Sequence, residues 1–346
     1  MRYVPIQCDM NKLIYFLFKW RPFRWRTIMV YEMASLNLMY CAVPMLAYGI
    51  HSYDWSIVRI LLLSILTLFS GYFATLIWND ISDREIDKIA HPDRTIPSGR
   101  ITPKQFFVVA LIFSAIVFTC ALLISVWCLF IVGMAALFVT FHNRFLKKIV
   151  KIPAYSEIFT PVQWVVVAIF GYVAIWTALP QSHALSYNLP IVGMIAFDAD
   201  AFINMILLVL FTYFADDAHD LPEGIHDIEG DRKQGVRTYA SSFGIKTSAK
   251  VSFVMYLLSG IFALILFFRT ILSWNFVVSM IFLIPFLIIW LYTLNWSYRY
   301  IKKDEQEMKD TGLIIGQKGF NYFLTVFDLM FLDILLQVLY YSFFVA

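Results

Sequence analysis

Charged residues are scarce in this chain. They make up 15% of its 346 residues, while 60% are hydrophobic, and ordinary soluble domains have roughly 25% charged residues. Too little polar surface is available to cover a soluble globule or to keep a chain disordered. With only 14 Gly and 4 Cys, collagen-like and disulfide-rich classes are excluded as well. No alternation of period two is found in the apolar stretches, which disfavours a β-barrel. The remaining class is a helical, polytopic membrane protein.

Nine apolar stretches are long enough to cross a bilayer, which takes about 20 mostly apolar residues. They are 27–49, 57–79, 105–125, 127–144, 157–178, 195–215, 251–272, 276–296 and 319–345. The last two are separated by a polar segment, 297–318. We therefore predict an all-α integral membrane fold, with about nine transmembrane helices in one bundle. A basic segment over 1–26, without a signal-peptide cleavage site, precedes a single membrane domain over 27–346.

The basic residues predict the orientation of this bundle. Alternate connections and the N-terminal segment contain 25 of the 27 Lys and Arg, and only Arg59 and Arg269 fall on the other side. By the positive-inside rule, the N-terminus and the long polar connections are cytoplasmic. The protein is then a multi-pass membrane protein with its polar loops at the cytoplasmic face.

A first group of acidic residues follows the second apolar stretch. If the helix continues through it, Asp80, Asp83 and Asp87 fall on one helical face, and Asn79 adds a neutral oxygen. Carboxylates at this spacing repel one another and require a counter-cation. Mg²⁺ is suitable because it prefers hard oxygen ligands and leaves positions for phosphate oxygens.

A second acidic group lies between the sixth and seventh stretches. Asp227 and Asp231 are spaced i, i+4, and Lys233 follows them. Two such faces on one side of the membrane indicate a site for Mg²⁺ and a diphosphate, whose departure the metal assists. A solvated, charged loop is the alternative for either group alone. A zinc or di-iron site built on His219 and His226 is disfavoured, since the six His of the chain do not form a metal-binding set.

Basic residues near the acidic groups are candidates for binding the diphosphate. Arg94 and Arg100 lie in a stretch with Pro97, Ser98 and Gly99, which predicts an ordered turn region. Arginine forks suit phosphate oxygens. Lys147, at the end of the fourth stretch, either binds the same group or fixes topology at the lipid headgroups.

These motifs resemble those of the UbiA-type intramembrane prenyltransferases. The first signature is similar to Asn79-Asp80-x-x-Asp83-x-x-x-Asp87 together with Arg94 and Pro97-Ser98-Gly99-Arg100. The second is similar to Asp227-x-x-Gly230-Asp231-x-x-x-Gly235-x-x-Thr238, and Leu146-Lys147 resembles the family's lysine segment. The resemblance implies that Mg²⁺ is bound by Asn79, Asp80, Asp83, Asp87, Asp227 and Asp231. It also implies that Arg94, Arg100, Lys147 and Lys233 bind the diphosphate.

The family further implies the reaction and the partners. A prenyl diphosphate ionises at the two aspartate motifs, with Asp83, Asp87, Asp227 and Asp231 as catalytic residues, and a lipophilic acceptor captures the allylic cation. We expect a prenyl diphosphate, the acceptor and membrane lipid as partners, and no nucleic acid. The acceptor stays open between a quinone-type aromatic, a carotenoid and another lipid. A membrane terpene cyclase on the same scaffold is the main alternative, and a transporter or structural membrane protein is a more distant one.

Overall fold

The computed structural model of the protein describes residues 55–340, except 83, 86–87, 89–94, 147–148, 160, 179–184, 190–192, 198 and 274. The elements are α1 (Trp55–Ser82), α2 (Pro103–Ile124), α3 (Val126–Phe141), a π-helical turn (His142–Leu146), α4 (Tyr155–Phe159), α5 (Val162–Ala178), β1 (Leu185–Leu189), β2 (Gly193–Phe197), α6 (Ala199–Gln234), α7 (Tyr239–Phe243), α8 (Ile245–Ser273), α9 (Phe276–Ile301) and α10 (Glu305–Tyr340).

Six of these helices are long and apolar enough to cross a membrane. They are α1, α2, α6, α8, α9 and α10. This confirms the prediction of a helical, multi-pass membrane protein. The shorter helices α3 and α5 lie where the fourth and fifth spans are expected. The first predicted span, 27–49, and the basic segment 1–26 lie outside the described residues, so the count of nine and the N-terminal orientation stay predictions.

Two helices extend well beyond the apolar stretches that predict them. Helix α6 continues to Gln234, so the second acidic group lies within a helix and not in a connection. Helix α10 begins at Glu305, so much of the polar segment 297–318 is helical too. Apolar stretches report the cost of burial in lipid, whereas a helix continues wherever its polar residues face solvent or protein.

The structure also contains a feature that the sequence analysis did not predict. Strands β1 and β2 form an antiparallel hairpin just before α6, with Leu185 opposite Phe197 and Leu189 opposite Gly193. The hairpin includes residues 195–197, which the predicted sixth span assigned to a helix. Gly193, where β2 begins, is a turn-forming residue in the sequence.

Helix ends follow local sequence signals. Thr102 caps α2 in a capping box with Gln105, an arrangement that satisfies two otherwise unpaired backbone donors. Ser125 is extended, which ends α2, and its hydroxyl accepts from the amide of Cys128 to begin α3. Ser125 therefore separates α2 from α3, between the predicted stretches 105–125 and 127–144.

Helix α6 is central to the bundle and packs against α5, α8 and α10. It contains Pro222, which cannot donate a hydrogen bond to the carbonyl of Ala218 four residues earlier. The hydroxyl of Ser252, on α8, donates to that carbonyl at 2.7 Å. A neighbouring helix therefore satisfies the backbone acceptor that the proline leaves unpaired, as membrane interiors require.

Close contact between α6 and α10 depends on glycine. A side chain at Gly312 or Gly316 would overlap Pro222 or Glu223, and one at Gly319 would overlap Tyr256 of α8. Glycines spaced in this way allow two helix backbones to approach closely in a membrane. The interface holds the acidic part of α6 inside the bundle.

Candidate active site

One face of α6 contains a line of carboxylates. Asp217, Asp220, Asp227 and Asp231 fall within an arc of about 80° at 3.6 residues per turn, and Gly224 lies on the same arc. From the first to the last, the line extends about 21 Å along the helix at 1.5 Å per residue. The sequence analysis used only the end of this line, at Asp227 and Asp231.

The inner part of α6 contains a buried, ionisable cluster. Nε2 of His219 lies 3.2 Å from Oδ1 of Asp216, and its Nδ1 lies 3.2 Å from Oδ1 of Asp220. His219 packs against the rings of Phe320 and Phe323. This arrangement assigns His219 to a pairing within α6. The sequence analysis did not predict this cluster, because in the sequence its members resemble part of a charged connection between helices.

Asp217 differs from its neighbours because it has no such partner. The residue is fully buried, and within the described part of the chain neither carboxylate oxygen has a hydrogen-bond partner. An unpaired, buried carboxylate is costly in an apolar environment. Its position therefore favours a function that brings a cation, a proton or a hydrogen-bond donor to it.

The outer part of α6 is exposed to a varying degree. Asp231 is half-buried, whereas the side chains of Asp227 and Lys233 are exposed. Glu229 pairs with Lys309 of α10, with Nζ 2.9 Å from Oε1. Lys309 is a cation beside the second motif that the sequence analysis did not single out, since it comes from a distant helix.

The first motif is described only in part. Asp80, near the end of α1, is buried, and Asn79 is half-buried. Asp83 and Asp87 lie outside the described residues, as do the basic candidates Arg94 and Lys147.

The predicted turn region is present in its described part. Residues 95–100 form a turn in which the amide of Gly99 donates to the carbonyl of Ile96 at 3.0 Å. Gly99 has a φ of 73°, a left-handed conformation that glycine adopts without steric cost. Arg100, at the end of the turn, is half-buried.

Glu157 is a buried acid that the sequence analysis did not consider. It lies in α4, with 5% of its surface exposed, and its Oε2 accepts from the backbone amide of Tyr239 at the start of α7. Burial raises the pKa of Glu157 to about 8, and the nearby carboxylates Asp220 and Asp231 add to this effect. A single Glu in an apolar stretch gives no sequence signal for such a position.

Several bonds connect α4 to the region of the second motif. The amide of Ser156 donates to the carbonyl of Arg237 at 3.1 Å, and that of Ala154 donates to Oγ of Ser242 at 3.0 Å. The hydroxyl of Tyr213, on α6, donates to the carbonyl of Ile158 at 3.1 Å. The segment that follows the π-helical turn is thus attached to both α6 and α7.

The sequence profile of the UbiA prenyltransferase family matches residues 38–312 of this chain. The chain belongs to the UbiA prenyltransferase family. This confirms the family that the two aspartate motifs indicated. The UbiA match covers both motifs and the turn at 95–100.

Individual UbiA relatives are more distant. A digeranylgeranylglyceryl phosphate synthase of Sulfurisphaera tokodaii is 24% identical over 217 residues, which are 62% of this chain and 69% of that protein. The enzyme of the same name from Saccharolobus solfataricus is 24% identical over 180 residues, 52% of this chain and 55% of that protein. The chain thus spans between about half and two thirds of the length of these relatives.

A solved structure is similar in fold. It is the apo structure of a UbiA homologue from Aeropyrum pernix K1, with a TM-score of 0.57 and 15% sequence identity. The similarity covers 84% of this chain and 96% of the other. At this identity the comparison supports a shared UbiA fold and is silent on substrates.

The described residues do not by themselves form a complete metal site. Within them, no three His, Cys, Asp or Glu side chains come close enough together to hold a metal ion. The oxygen-rich face of α6 and the unpaired carboxylate of Asp217 are nevertheless of the kind that Mg²⁺ prefers. The predicted ligands Asp83 and Asp87 of the first motif lie outside the described residues.

Proposed function

We propose that this chain is a Mg²⁺-dependent prenyltransferase that moves a prenyl group from an isoprenyl diphosphate to a lipophilic acceptor within the membrane. The observation that supports this most is the line of carboxylates on α6, which extends from the buried Asp217 to Asp231 in a member of a prenyltransferase family. A diphosphate at a membrane protein requires positive charge, and such carboxylates recruit it as metal ions.

The residues that would hold Mg²⁺ come from both motifs. They are Asn79, Asp80, Asp83 and Asp87 of the first motif and Asp227 and Asp231 of the second. Bound Mg²⁺ neutralises the diphosphate and makes it a better leaving group. The basic side chains of Arg94, Arg100, Lys147 and Lys233 would bind the remaining diphosphate oxygens, as charge-assisted hydrogen bonds to phosphate are strong.

The apolar bundle would then accommodate the prenyl chain. The C1–O bond of the prenyl diphosphate breaks, the diphosphate leaves, and the acceptor forms a new bond to C1 and releases a proton. Exclusion of water by the bundle favours the acceptor over hydrolysis of the cation. We expect the site to open at the cytoplasmic face, where the basic connections place the polar ends of the helices.

The names of the relatives suggest which donor and acceptor to test first. Their shared name, digeranylgeranylglyceryl phosphate synthase, supports a geranylgeranyl donor and a glyceryl phosphate lipid acceptor as the first pair. A quinone-type aromatic and a carotenoid are the next acceptors to add.

The test uses the full chain, purified in lipid nanodiscs. Geranylgeranyl or farnesyl diphosphate is added with Mg²⁺ or with EDTA, each acceptor is added in turn, and released diphosphate is measured beside mass spectrometry of the lipids. We expect Mg²⁺-dependent release and a prenylated acceptor, and we expect Asp231→Ala to abolish both. Asp310→Asn, an exposed acid on α10, is the matched control and should retain activity.

Other outcomes separate the alternatives. Release of diphosphate with a cyclised hydrocarbon and no need for an acceptor would replace transfer by cyclisation. No release with any prenyl length, from protein shown to be folded, would contradict the proposed function.

A further inference from the structure

Glu157 has two oxygens in different environments. Oε2 accepts from the backbone amide of Tyr239, which fixes the orientation of the side chain. Oε1 is buried and has no hydrogen-bond partner within the described residues. Because a buried carboxylate oxygen is normally satisfied, Oε1 requires a partner that arrives from elsewhere.

Gly224, on the acidic face of α6, leaves space for this oxygen because it has no side chain. A side chain at Gly224 would overlap Oε1 of Glu157, so the carboxylate lies directly against the helix. Gly224 falls on the arc that contains Asp217, Asp220, Asp227 and Asp231. Glu157 therefore adds a carboxylate from another helix to the middle of the line on α6.

The charges around Glu157 are mostly of the same sign. Asp217, Asp220 and Asp231 all lie near enough to interact with it electrostatically. His219 is the one described cation-forming side chain within this inner cluster, and it is already paired with Asp216 and Asp220. Gathering these groups in a buried place is unfavourable unless positive charge is added.

Among the described residues, Glu157 does not complete a direct metal site. No three acidic or histidine side chains among the described residues are close enough to ligate one ion together. A carboxylate that does not ligate a metal directly acts on it through a water ligand or by its charge, and such contacts orient the ligands and tune affinity.

We propose that Glu157 is a positioning residue for the cation bound at the second aspartate motif, with Oε2 anchored to α7 and Oε1 directed to a water ligand of that cation. The proposal rests on the proposed function, since it assumes that Mg²⁺ binds with a diphosphate at Asp227 and Asp231. It adds to the site a residue that belongs to neither motif, contributed by the short helix that follows the π-helical turn.

Backbone hydrogen bonds near Glu157 also connect its segment to the residues after the second motif. The amide of Ser156 bonds this helix to Arg237, and the amide of Ala154, just before the helix, donates to Ser242; both partners follow the second motif. These bonds hold Glu157 in place beside the second motif.

Glu157→Gln is the decisive variant because it keeps the shape and an acceptor for the Tyr239 amide while it removes the charge. The probe is Mg²⁺ with inorganic diphosphate, titrated by calorimetry into the full chain in nanodiscs, and thermal unfolding without ligand is measured in parallel. We expect Glu157→Gln to unfold at or above the wild-type temperature and to bind the probe about tenfold more weakly, the lower end of the effect of removing such a metal-orienting residue.

A matched control comes from a different buried acid. Asp333, on α10, is 1% exposed, but its two carboxylate oxygens lie 3.0 and 3.1 Å from the hydroxyls of Ser279 and Thr270. Asp333→Asn should leave the affinity for Mg²⁺ and diphosphate unchanged. Equal weakening in both variants would overturn the proposal, because it would show a general effect of removing a buried charge.

The remaining outcomes are also distinct. If Glu157→Gln binds as tightly as the wild type and only Glu157→Ala binds weakly, Glu157 is a structural anchor for α7 and the proposal is wrong. If the folded wild type itself does not bind Mg²⁺ with diphosphate, the proposed function fails and not only the role of Glu157.

Discussion

Nε2 of His219 lies 3.2 Å from Oδ1 of Asp216, and both side chains are buried in the same helix, α6. Oδ1 of Asp220 lies at the same distance from the other ring nitrogen. The imidazole therefore separates two carboxylates that would otherwise face each other inside the bundle. This pairing is a structural feature of α6, and it leaves Asp217 as the unpaired acid of the cluster.

We expect His219→Ala to destabilise the protein by about 3 kcal/mol, because removal of one member of a buried ionic pair leaves the others uncompensated. Unfolding by denaturant in detergent micelles, followed by tryptophan fluorescence, measures this loss. His226→Ala is the control, since His226 is exposed; its Nδ1 donates to the carbonyl of Lys309, and its Nε2 lies 4.0 Å from Oδ1 of Asp227. Similar losses in both variants would contradict the role given to His219.

The pKa of Glu157 predicts how the stability of the metal-free protein depends on pH. Its ordinary pKa is 4.5 and burial raises it to about 8, so between these values the folded protein holds a proton that the unfolded chain has released. The contribution of this group to the free energy of unfolding is therefore greatest at low pH, and it decreases as the pH rises from 4.5 to about 8. Thermal unfolding between pH 5 and 9, without Mg²⁺, measures the trend.

Comparison with Glu157→Gln isolates this contribution, as Asp217, Asp220 and Asp231 are present in both proteins. We expect a smaller decrease in unfolding temperature with pH in the variant. Identical pH profiles would mean that Glu157 does not titrate in this window.

Substitution of two glycines of α6 by alanine should change the stability of the protein in opposite directions. A side chain at Gly224 overlaps the carboxylate of Glu157, whereas one at Gly230 meets no atom within 4 Å. We expect Gly224→Ala to lower stability by about 1–3 kcal/mol through overpacking. Gly230→Ala should raise it by about 0.5–1 kcal/mol, because alanine favours the helix over glycine.

The overlap with Glu157 is tested by a double variant. Adding Glu157→Ala to Gly224→Ala removes the obstructing carboxylate, so the two effects should not be additive. Additive losses, measured by the same unfolding assay, would show that Gly224 and Glu157 are not in contact.

Ser252 and Ser248 form a matched pair on α8. Ser252 donates to the carbonyl of Ala218 that Pro222 leaves unpaired, so Ser252→Ala should cost about 1–2 kcal/mol by leaving a buried acceptor without a donor. The buried hydroxyl of Ser248 has no partner within the described residues. Ser248→Ala should therefore be neutral or slightly stabilising, and a larger loss there than at Ser252 would contradict the compensation of the proline.

Much of the architecture is predictable because burial in lipid depends on composition. The apolar stretches over 57–79, 105–125, 251–272 and 276–296 each correspond to a helix in the structure. Helix ends are less predictable, as the extension of α6 to Gln234 and of α10 back to Glu305 shows. The hairpin of β1 and β2 was missed, since its short apolar strands do not differ in composition from a membrane helix.

The candidate site is predictable to a similar degree. Spacing places Asp227 and Asp231 on one face because helical geometry is local. The turn over 95–100 follows from Pro97 and Gly99 for the same reason. Glu157 and Lys309 could not be found in this way, because they approach α6 from other helices and lie about 70 to 80 positions away in the chain.

The sequence by itself determined the class of the protein, the approximate positions of its helices, the two aspartate motifs and the family. These properties depend on composition and on spacing within single segments, which need no knowledge of neighbours. Only the tertiary structure decided that His219 is paired with Asp216 and Asp220, that Asp217 is buried without a partner, and that Glu157 lies against Gly224. Burial and pairing depend on which helices meet, and a charged residue in the sequence gives no sign of whether its surroundings are water or protein.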